Sequence, residues 1–252
     1  MSGVFAPAPG RAPFRAVLRR QIRMELLLTA RRGEAVVLAL GVPLLVLLGA
    51  GLTHATTLPT DDRIGYVVPG VLALTVLSTA LTGQAITTGY ERSYGVLKRL
   101  GASPLTRPGL LFAKIAAVLC LIGAQLLALA LVGVAVGWRP HLTHLLPALG
   151  VTVLAAAAYT GLALVIASLL KPETTTGAAT LIYVLMLAAG GIMFAAPGLG
   201  PVGSVVLPLA AHAEALRDAL TAGASIPGSI WLSLSLWTVV SLVAAARNFR
   251  WE

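Results

Sequence analysis

The sequence predicts an all-α polytopic membrane protein, and three observations support this fold class. Hydrophobic residues make up 58% of the 252 positions and charged residues only 11%, whereas a soluble domain carries about 25% charged residues. Six apolar runs are each long enough to cross a bilayer as a helix, which takes about 20 residues. The basic residues gather in polar segments next to these runs. Lipid must therefore cover much of the surface.

The six transmembrane helices are predicted from the apolar runs and together form a single transmembrane domain, residues 1–252. They cover residues 35–53, 66–89, 109–136, 145–170, 176–196 and 228–246. Inside a bilayer only helices and closed barrels satisfy every backbone hydrogen bond. Because the runs lack the alternating pattern of barrel strands, helices are the prediction.

The distribution of arginine and lysine predicts the orientation. If the N-terminus is cytoplasmic, all but three of the 18 basic residues lie on the cytoplasmic side, the exceptions being Arg63, Arg139 and Arg217. The positive-inside rule then places both termini in the cytoplasm, with the spans in the plasma (inner) membrane. A net charge of +9 could suggest a nucleic-acid partner. Its position beside the spans favours membrane lipid instead, and no nucleic acid is expected.

Residues 14–32 are predicted to form an amphipathic interfacial helix before the first span. Four arginines recur every four residues and give a basic stripe: Arg11, Arg15, Arg19 and Arg23. An apolar face lies beside it, formed by Phe14, Val17, Leu18, Ile22 and Leu26. Such a helix should lie in the membrane interface with its arginines toward anionic headgroups. The alternative is a juxtamembrane anchor with no further role.

A second short helix is predicted at residues 91–103, in the polar connection between the second and third spans. Val96, Leu97 and Leu100 share one helical face, and Lys98 and Arg99 point away from it. Gly101 and Pro104 then end the helix. A surface helix of this kind can dock into a groove on another protein. The alternative is an ordinary connecting turn.

The outer segment 197–227 is too interrupted by proline and glycine to be a full span. It is predicted to form short re-entrant helices in the outer leaflet, with Glu214, Arg217 and Asp218 at spacings that allow pairing. The alternative is an amphipathic surface loop.

Several chemistries are excluded by their missing motifs. The chain has no GxxxxGK[ST] loop, HExxH or GxSxG, so it is not expected to be an enzyme or to hydrolyse ATP itself. His141 and His144 have no third ligand nearby, so no metal site is predicted. The single cysteine, Cys120, cannot form a disulfide within the chain.

The spans contain almost no ionisable groups, which weighs against an ion-coupled carrier. Lys114, near the start of the third span, is expected to reach toward the interface. The neutral polar side chains within the spans could line a substrate path or bond helix to helix, and both readings stay open. They are Gln84, Thr87, Thr88, Gln125, Tyr159 and Tyr183.

A spaced motif in the connection between the second and third spans begins with Glu91-Arg92, continues through Gly95, Leu97 and Leu100, and ends at Pro104. Through this motif the chain resembles the membrane permease of type 2 ATP-binding-cassette (ABC) exporters, and the resemblance covers nearly its whole length. That family carries Glu-Arg, Gly-Thr-Leu, Leu and Pro between its second and third spans, then Gly-Lys. Val96 stands here for the threonine and Ala113-Lys114 for Gly-Lys. The matching residues are Glu91, Arg92, Gly95, Leu97, Leu100 and Pro104. A second match, before the last span, comprises Pro208, His212, Glu214 and Arg217.

The resemblance implies an ATP-driven exporter permease for a lipophilic or amphiphilic substrate such as a drug, antibiotic, lipid or natural product. Residues 91–103 would be the coupling helix on separate ABC ATPase subunits, with Val96, Leu97, Lys98, Arg99 and Leu100 at the contact. A second permease copy would complete the path. No cofactor is expected in this chain, since ATP and Mg²⁺ would bind the ATPase. The alternatives are a non-transporting membrane scaffold and an ion-coupled carrier.

Overall fold

The computed structural model describes residues 13–31, 33–52, 58, 60–101, 106–191 and 206–248. Within these residues the chain is almost entirely helical and has no β-strand. The predicted all-α class is therefore confirmed.

Ten α-helices make up most of the described chain. They are α1 (Phe14–Arg31), α2 (Gly33–Leu52), α3 (Arg63–Leu77), α4 (Gln84–Ser93), α5 (Val96–Gly101), α6 (Arg107–Ala135), α7 (Leu145–Leu169), α8 (Pro172–Ala189), α9 (Pro208–Arg217) and α10 (Gly228–Asn248). A π-helical segment, Ser78–Gly83, joins α3 to α4, and a second, Asp218–Ala222, follows α9. A short 3₁₀ turn, Leu142–His144, precedes α7.

Four of the described helices are long and apolar enough to cross a membrane. They are Arg63–Ser93, Pro108–Ala135, Leu142–Leu169 and Gly228–Asn248, which correspond to the second, third, fourth and sixth predicted spans. The helices α2 and α8 lie at the positions of the first and fifth predicted spans. The described apolar stretch of α2 is Leu40–Gly51, and α8 begins with polar residues. The total of six crossings stays a prediction.

The continuous helix Arg63–Ser93 lies at the centre of the fold. Asp62 caps its start by accepting a hydrogen bond from the Gly65 backbone amide at 2.9 Å, as is usual for an N-cap carboxylate. Every residue from Val67 to Leu77 is buried. The α3 half contacts α2, α6, α7 and α9, and the α4 half contacts α7 and α8. The most extensive contact between two helices is that of α7 with α10.

Two polar clusters lie at opposite ends of the bundle. Glu25, Glu91 and Lys114 meet at the end where α5 lies, which we call the α5 end. Tyr66 and Arg217 meet at the opposite end, which we call the α9 end. The apolar middle of the central helix separates the two ends. One continuous helix therefore links two polar clusters that lie at its opposite ends.

Candidate coupling and translocation site

The short helix α5 continues the central helix after a two-residue turn. Gly95 has a φ of +68°, a conformation that favours glycine because it has no Cβ. This turn explains why α5 begins later than the predicted 91–103, since residues 91–93 still belong to α4. Residues 102 and 103 lie outside the described part of the chain. The residue pattern therefore predicts the position of the helix better than its start.

The two faces of α5 differ in exposure. Lys98 and Arg99 are exposed, and Val96 is half-buried. Leu100 is half-buried against an apolar cluster of Leu110, Leu164 and Ala245. The Leu97 side chain and Pro104 lie outside the described residues. Leu100 thus packs on this chain's own helices, and Lys98 and Arg99 are the side chains in the described part of α5 that point outward.

Glu91 and Arg92 face the bundle as well. The buried Glu91 carboxylate accepts a hydrogen bond from Lys114 Nζ at 2.7 Å. Arg92 donates to the backbone carbonyls of Ser168, at 2.7 Å, and Ala167, at 3.3 Å. These carbonyls lie at the C-terminal end of α7, where a cation is favourable. The Glu-Arg pair therefore fastens the end of α4 to α6 and α7.

Lys114 does not reach the interface as expected. Its side chain is 0% exposed, and its Nζ lies 2.7 Å from a Glu91 carboxylate oxygen and 3.3 Å from one of Glu25. A buried ammonium needs such partners, because burial without them is costly. The three residues form an ionic triad that joins α1, α4 and α6.

The predicted path residues are spread over four helices, α4, α6, α7 and α8. Gln125 accepts a hydrogen bond from Thr79 Oγ1 at 2.7 Å. Thr79 belongs to the π-helical segment of the central helix. Such segments are rare and often occur at functional sites. Among the described residues, the buried polar oxygens of Gln84, Thr88 and Tyr159 have no hydrogen-bond partner. Gln125 thus bonds helix to helix through its oxygen, while its Nε2 shares with these three oxygens the lack of a hydrogen-bond partner in the described structure.

The other two predicted path residues are only half-buried. Thr87 lies on α4, and Tyr183 lies on α8, packed against the main hydrophobic core. Their place in a substrate path stays a prediction.

At the α9 end, Arg217 connects three parts of the chain. Its guanidinium donates to the Gly191 carbonyl at 2.9 Å and to the Tyr66 carbonyl at 3.2 Å. It also lies over the Tyr66 ring, 3.8 Å from the ring centroid, a favourable cation–π position. The Tyr66 hydroxyl donates to the same Gly191 carbonyl at 2.7 Å. Arg217 thus ties α9 to the start of α3 and to the residues that follow α8.

The other residues of the predicted outer motif support α9. Pro208 lies in its first turn, where proline is tolerated. His212 is fully buried, with Nε2 3.2 Å from the Thr152 hydroxyl oxygen on α7. Residues 197–205 of the predicted re-entrant segment lie outside the described residues. The described part is helical and well packed, and its re-entry into the outer leaflet stays a prediction.

Two acidic side chains lie near Arg217, those of Glu214 and Asp218, but they are not its main partners. Glu214 Oε2 lies 3.4 Å from the guanidinium, and its side chain is 46% exposed. Burial raises the pKa of the Asp218 carboxyl, the Glu214 carboxylate raises it further, and Arg217 lowers it. Exposed pairs of this kind contribute little to stability. The main partners of Arg217 are therefore the backbone carbonyls and the tyrosine ring.

Sequence reasoning missed Glu25, Thr79 and Tyr66. Glu25 carried a signal, since it follows Leu18 and Ile22 on one helical face and so interrupts an apolar stripe. Thr79 and Tyr66 carried none, because their partners are distant in sequence. No cluster of three metal-ligating side chains occurs in the described part of the chain.

The chain's relation to known proteins agrees with this geometry. The model of the ABC-2 type transporter family matches residues 13–221, a range that includes α1, α5 and α9. The membrane proteins of that family are transport permeases and generally work with ABC ATPase subunits. No curated protein matches the chain. Since the family match covers most of its length, the chain belongs to the ABC-2 type transporter family.

Proposed function

We propose that this multi-pass permease is the membrane subunit of an ATP-driven exporter. It would act as a dimer, carry a lipophilic or amphiphilic molecule, and take its energy from separate ATPase subunits. The observation that carries the proposal is α5, an exposed basic helix joined to the central span by two residues. A force applied there reaches the middle of the bundle directly.

The six predicted crossings fit the contacts at both ends. Arg63 donates to the Ala50 carbonyl at 3.2 Å, so α2 ends beside the start of α3. A Cβ added to Gly89 would lie 3.6 Å from Pro172 Cα, so α8 begins beside the end of α4. Because Tyr66 bonds to Gly191, α8 runs back along the central helix. These contacts support α2 and α8 as the first and fifth spans.

The proposed orientation places the α5 end in the cytoplasm and the α9 end outside. The exposed arginines of α1 support it, since Arg15, Arg19, Arg20 and Arg23 would face anionic headgroups. The exposed Met24, Leu27 and Leu28 lie on the same helix and suit the apolar side of the interface. Both termini would then be in the cytoplasm of a plasma membrane.

Reversing the charge of α5 should weaken ATPase binding. In Lys98→Glu with Arg99→Glu, two outward cations become anions, which would repel an ATPase surface carrying acidic residues. We expect at least about tenfold weaker association, or 1.4 kcal/mol. Titrating the solubilised permease with its ATPase at two salt concentrations measures this effect. Leu100 is unsuitable for the test because its internal packing would also be lost.

The matched control for this double variant is Lys171→Glu with Arg247→Glu. Both residues are exposed, are predicted to be cytoplasmic, and change the net charge by the same amount. This control should bind the ATPase normally. Equal binding by both double variants would contradict docking through α5.

The substrate path is proposed to include Gln84, whose buried side-chain oxygen has no partner in the described structure. Gln84→Leu should change substrate stimulation of ATP hydrolysis several-fold and leave stability unchanged, since no bond to this oxygen is broken. Gln125→Leu should lower stability by about 1 kcal/mol, because it removes the bond to Thr79. The rate of ATP hydrolysis in the presence of each of a panel of lipophilic compounds measures the effect of each variant on the substrate path. Thermal unfolding of the same variants measures the effect on stability.

The energy source distinguishes the exporter from its alternatives. Transport by the reconstituted permease and ATPase should stop when ATP is withdrawn and continue when a proton gradient is collapsed. Transport that continues without ATP would favour an ion-coupled carrier. Normal ATPase binding without any transport would favour a scaffold.

A further inference from the structure

Three charged residues from separate parts of the sequence meet at the α5 end. Lys114 of α6 lies between Glu91 of α4 and Glu25 of α1, with Nζ–oxygen distances of 2.7 and 3.3 Å. The carboxylate side chains are only 9% and 7% exposed. Gln21, one turn before Glu25, donates to the Glu25 carboxylate at 3.0 Å. The triad is therefore built into the packed structure.

Two of these helices, α1 and α6, also meet through apolar contacts, which include α5. Val17 of α1 and Leu100 of α5 both pack on the cluster formed by Leu110, Leu164 and Ala245. The helix α1 thus has an ionic and an apolar attachment to the elements around α5. Glu91 is also only four residues from the turn residue Gly95. A displacement of α5 must act on the triad through this short stretch of backbone.

The triad is more specific than the apolar contact. Apolar side chains can slide past one another with little change in energy, since the hydrophobic effect is non-directional. A buried ammonium cannot leave its carboxylates without losing most of its compensation for burial. Helices held by such a group are expected to move together rather than separately.

We propose that Glu25 and Lys114 are positioning residues that make α1 follow α5 when an ATPase acts on the permease. This inference rests on the proposed function. The amphipathic helix α1 would then be a moving part of the transport cycle rather than a passive anchor. Glu25 is the group on which this depends, because it alone in the triad belongs to α1.

Glu25→Ala tests the proposal in the intact complex of permease and ATPase. The variant cuts α1 from the triad and leaves the closer Lys114–Glu91 pair in place, so the buried ammonium keeps a counter-ion. Backbone hydrogen exchange of α1 and α5 is measured with and without ATP plus vanadate, which traps the ATPase. This readout requires no knowledge of the substrate.

In the wild-type complex we expect trapping to change exchange in both α1 and α5. In Glu25→Ala the change in hydrogen exchange of α5 on trapping should persist. The change in hydrogen exchange of α1 should fall at least about fivefold, which corresponds to a loss of roughly 1 kcal/mol in coupling free energy. Glu25→Gln keeps an oxygen that can accept a hydrogen bond from Lys114, so its change in α1 exchange should be intermediate. It also serves as the test variant if Glu25→Ala fails to insert into the membrane. The matched control Glu173→Ala removes an exposed acid at the start of α8 and should behave as wild type.

An α1 response that is unchanged in Glu25→Ala would overturn the inference, as would a wild-type complex in which α1 does not respond. Equal losses in α1 and α5 would mean that Glu25 supports the fold only, which also overturns it. Failure of the proposed function has a different signature: the permease would bind no ATPase, and vanadate would change neither helix.

Discussion

Arg217→Met should destabilise the permease by about 3–5 kcal/mol and abolish transport, because it removes two hydrogen bonds from a charged donor, each worth about 1.5–3 kcal/mol, and a cation–π contact. The Arg217 side chain is only 12% exposed. Its guanidinium satisfies the carbonyls of Tyr66 and Gly191 and lies on the Tyr66 ring. Methionine fills a similar volume but donates no hydrogen bond. The change should appear as a lower thermal unfolding midpoint, followed by tryptophan fluorescence in detergent.

Two further variants locate the cause of this effect. Arg217→Lys keeps the charge but lacks the planar fork that reaches two carbonyls, so we expect it to recover only a minor part of the stability. Glu214→Gln alters the exposed partner on the same helix and should cost less than about 1 kcal/mol. If Arg217→Lys were as stable as wild type, charge alone would explain the site and the hydrogen bonds would be unimportant.

Gly161→Val is the second change with a large expected effect, about 3 kcal/mol or more from overpacking. Gly161 lies in α7 where it contacts α10. An added Cβ would lie 2.6 Å from Ser241 Oγ, 2.9 Å from the Ser241 carbonyl carbon and 3.0 Å from the Leu242 amide nitrogen. Two of these atoms belong to the backbone, so the helices would have to separate. Small residues permit this close approach in membrane bundles.

The matched control is Gly123→Val in α6, where an added Cβ meets nothing within 4 Å. The intrinsic effect of valine on a helix is the same in both variants, so their difference isolates the contact between α7 and α10. Denaturation of both variants in the same detergent measures it. Similar midpoints for the two would show that this contact tolerates the added volume.

The helical class and the positions of most helices follow from composition and apolar run length, which are local properties. The chain from Arg107 to Ala135 illustrates this, because its apolar run, its Thr106 cap and its early proline all mark a helix start. The position of α5 was also predictable, since its apolar and basic residues alternate at helical spacing.

The polar partners were predictable only in part. An acid within an apolar stripe indicates a buried partner, as Glu25 shows, but its spacing does not identify which base. Lys114 lies 89 positions away and belongs to a different span. Which neutral groups bond to one another depends on how the helices are rotated in the bundle. The pairing of Gln125 with Thr79, rather than with Gln84, is a consequence of that rotation.

The π-helical segment Ser78–Gly83 has a geometric consequence for everything that follows it. A π turn accommodates one residue more than an α turn, and each residue of an α-helix advances the direction of the side chains by about 100°. Deleting one residue from this segment would therefore turn Glu91, Arg92 and the whole of α5 by roughly that angle about the helix axis. In the proposed complex, the direction in which α5 meets the ATPase would thus be set by the backbone register near the middle of the central helix, about 20 Å away at 1.5 Å per residue.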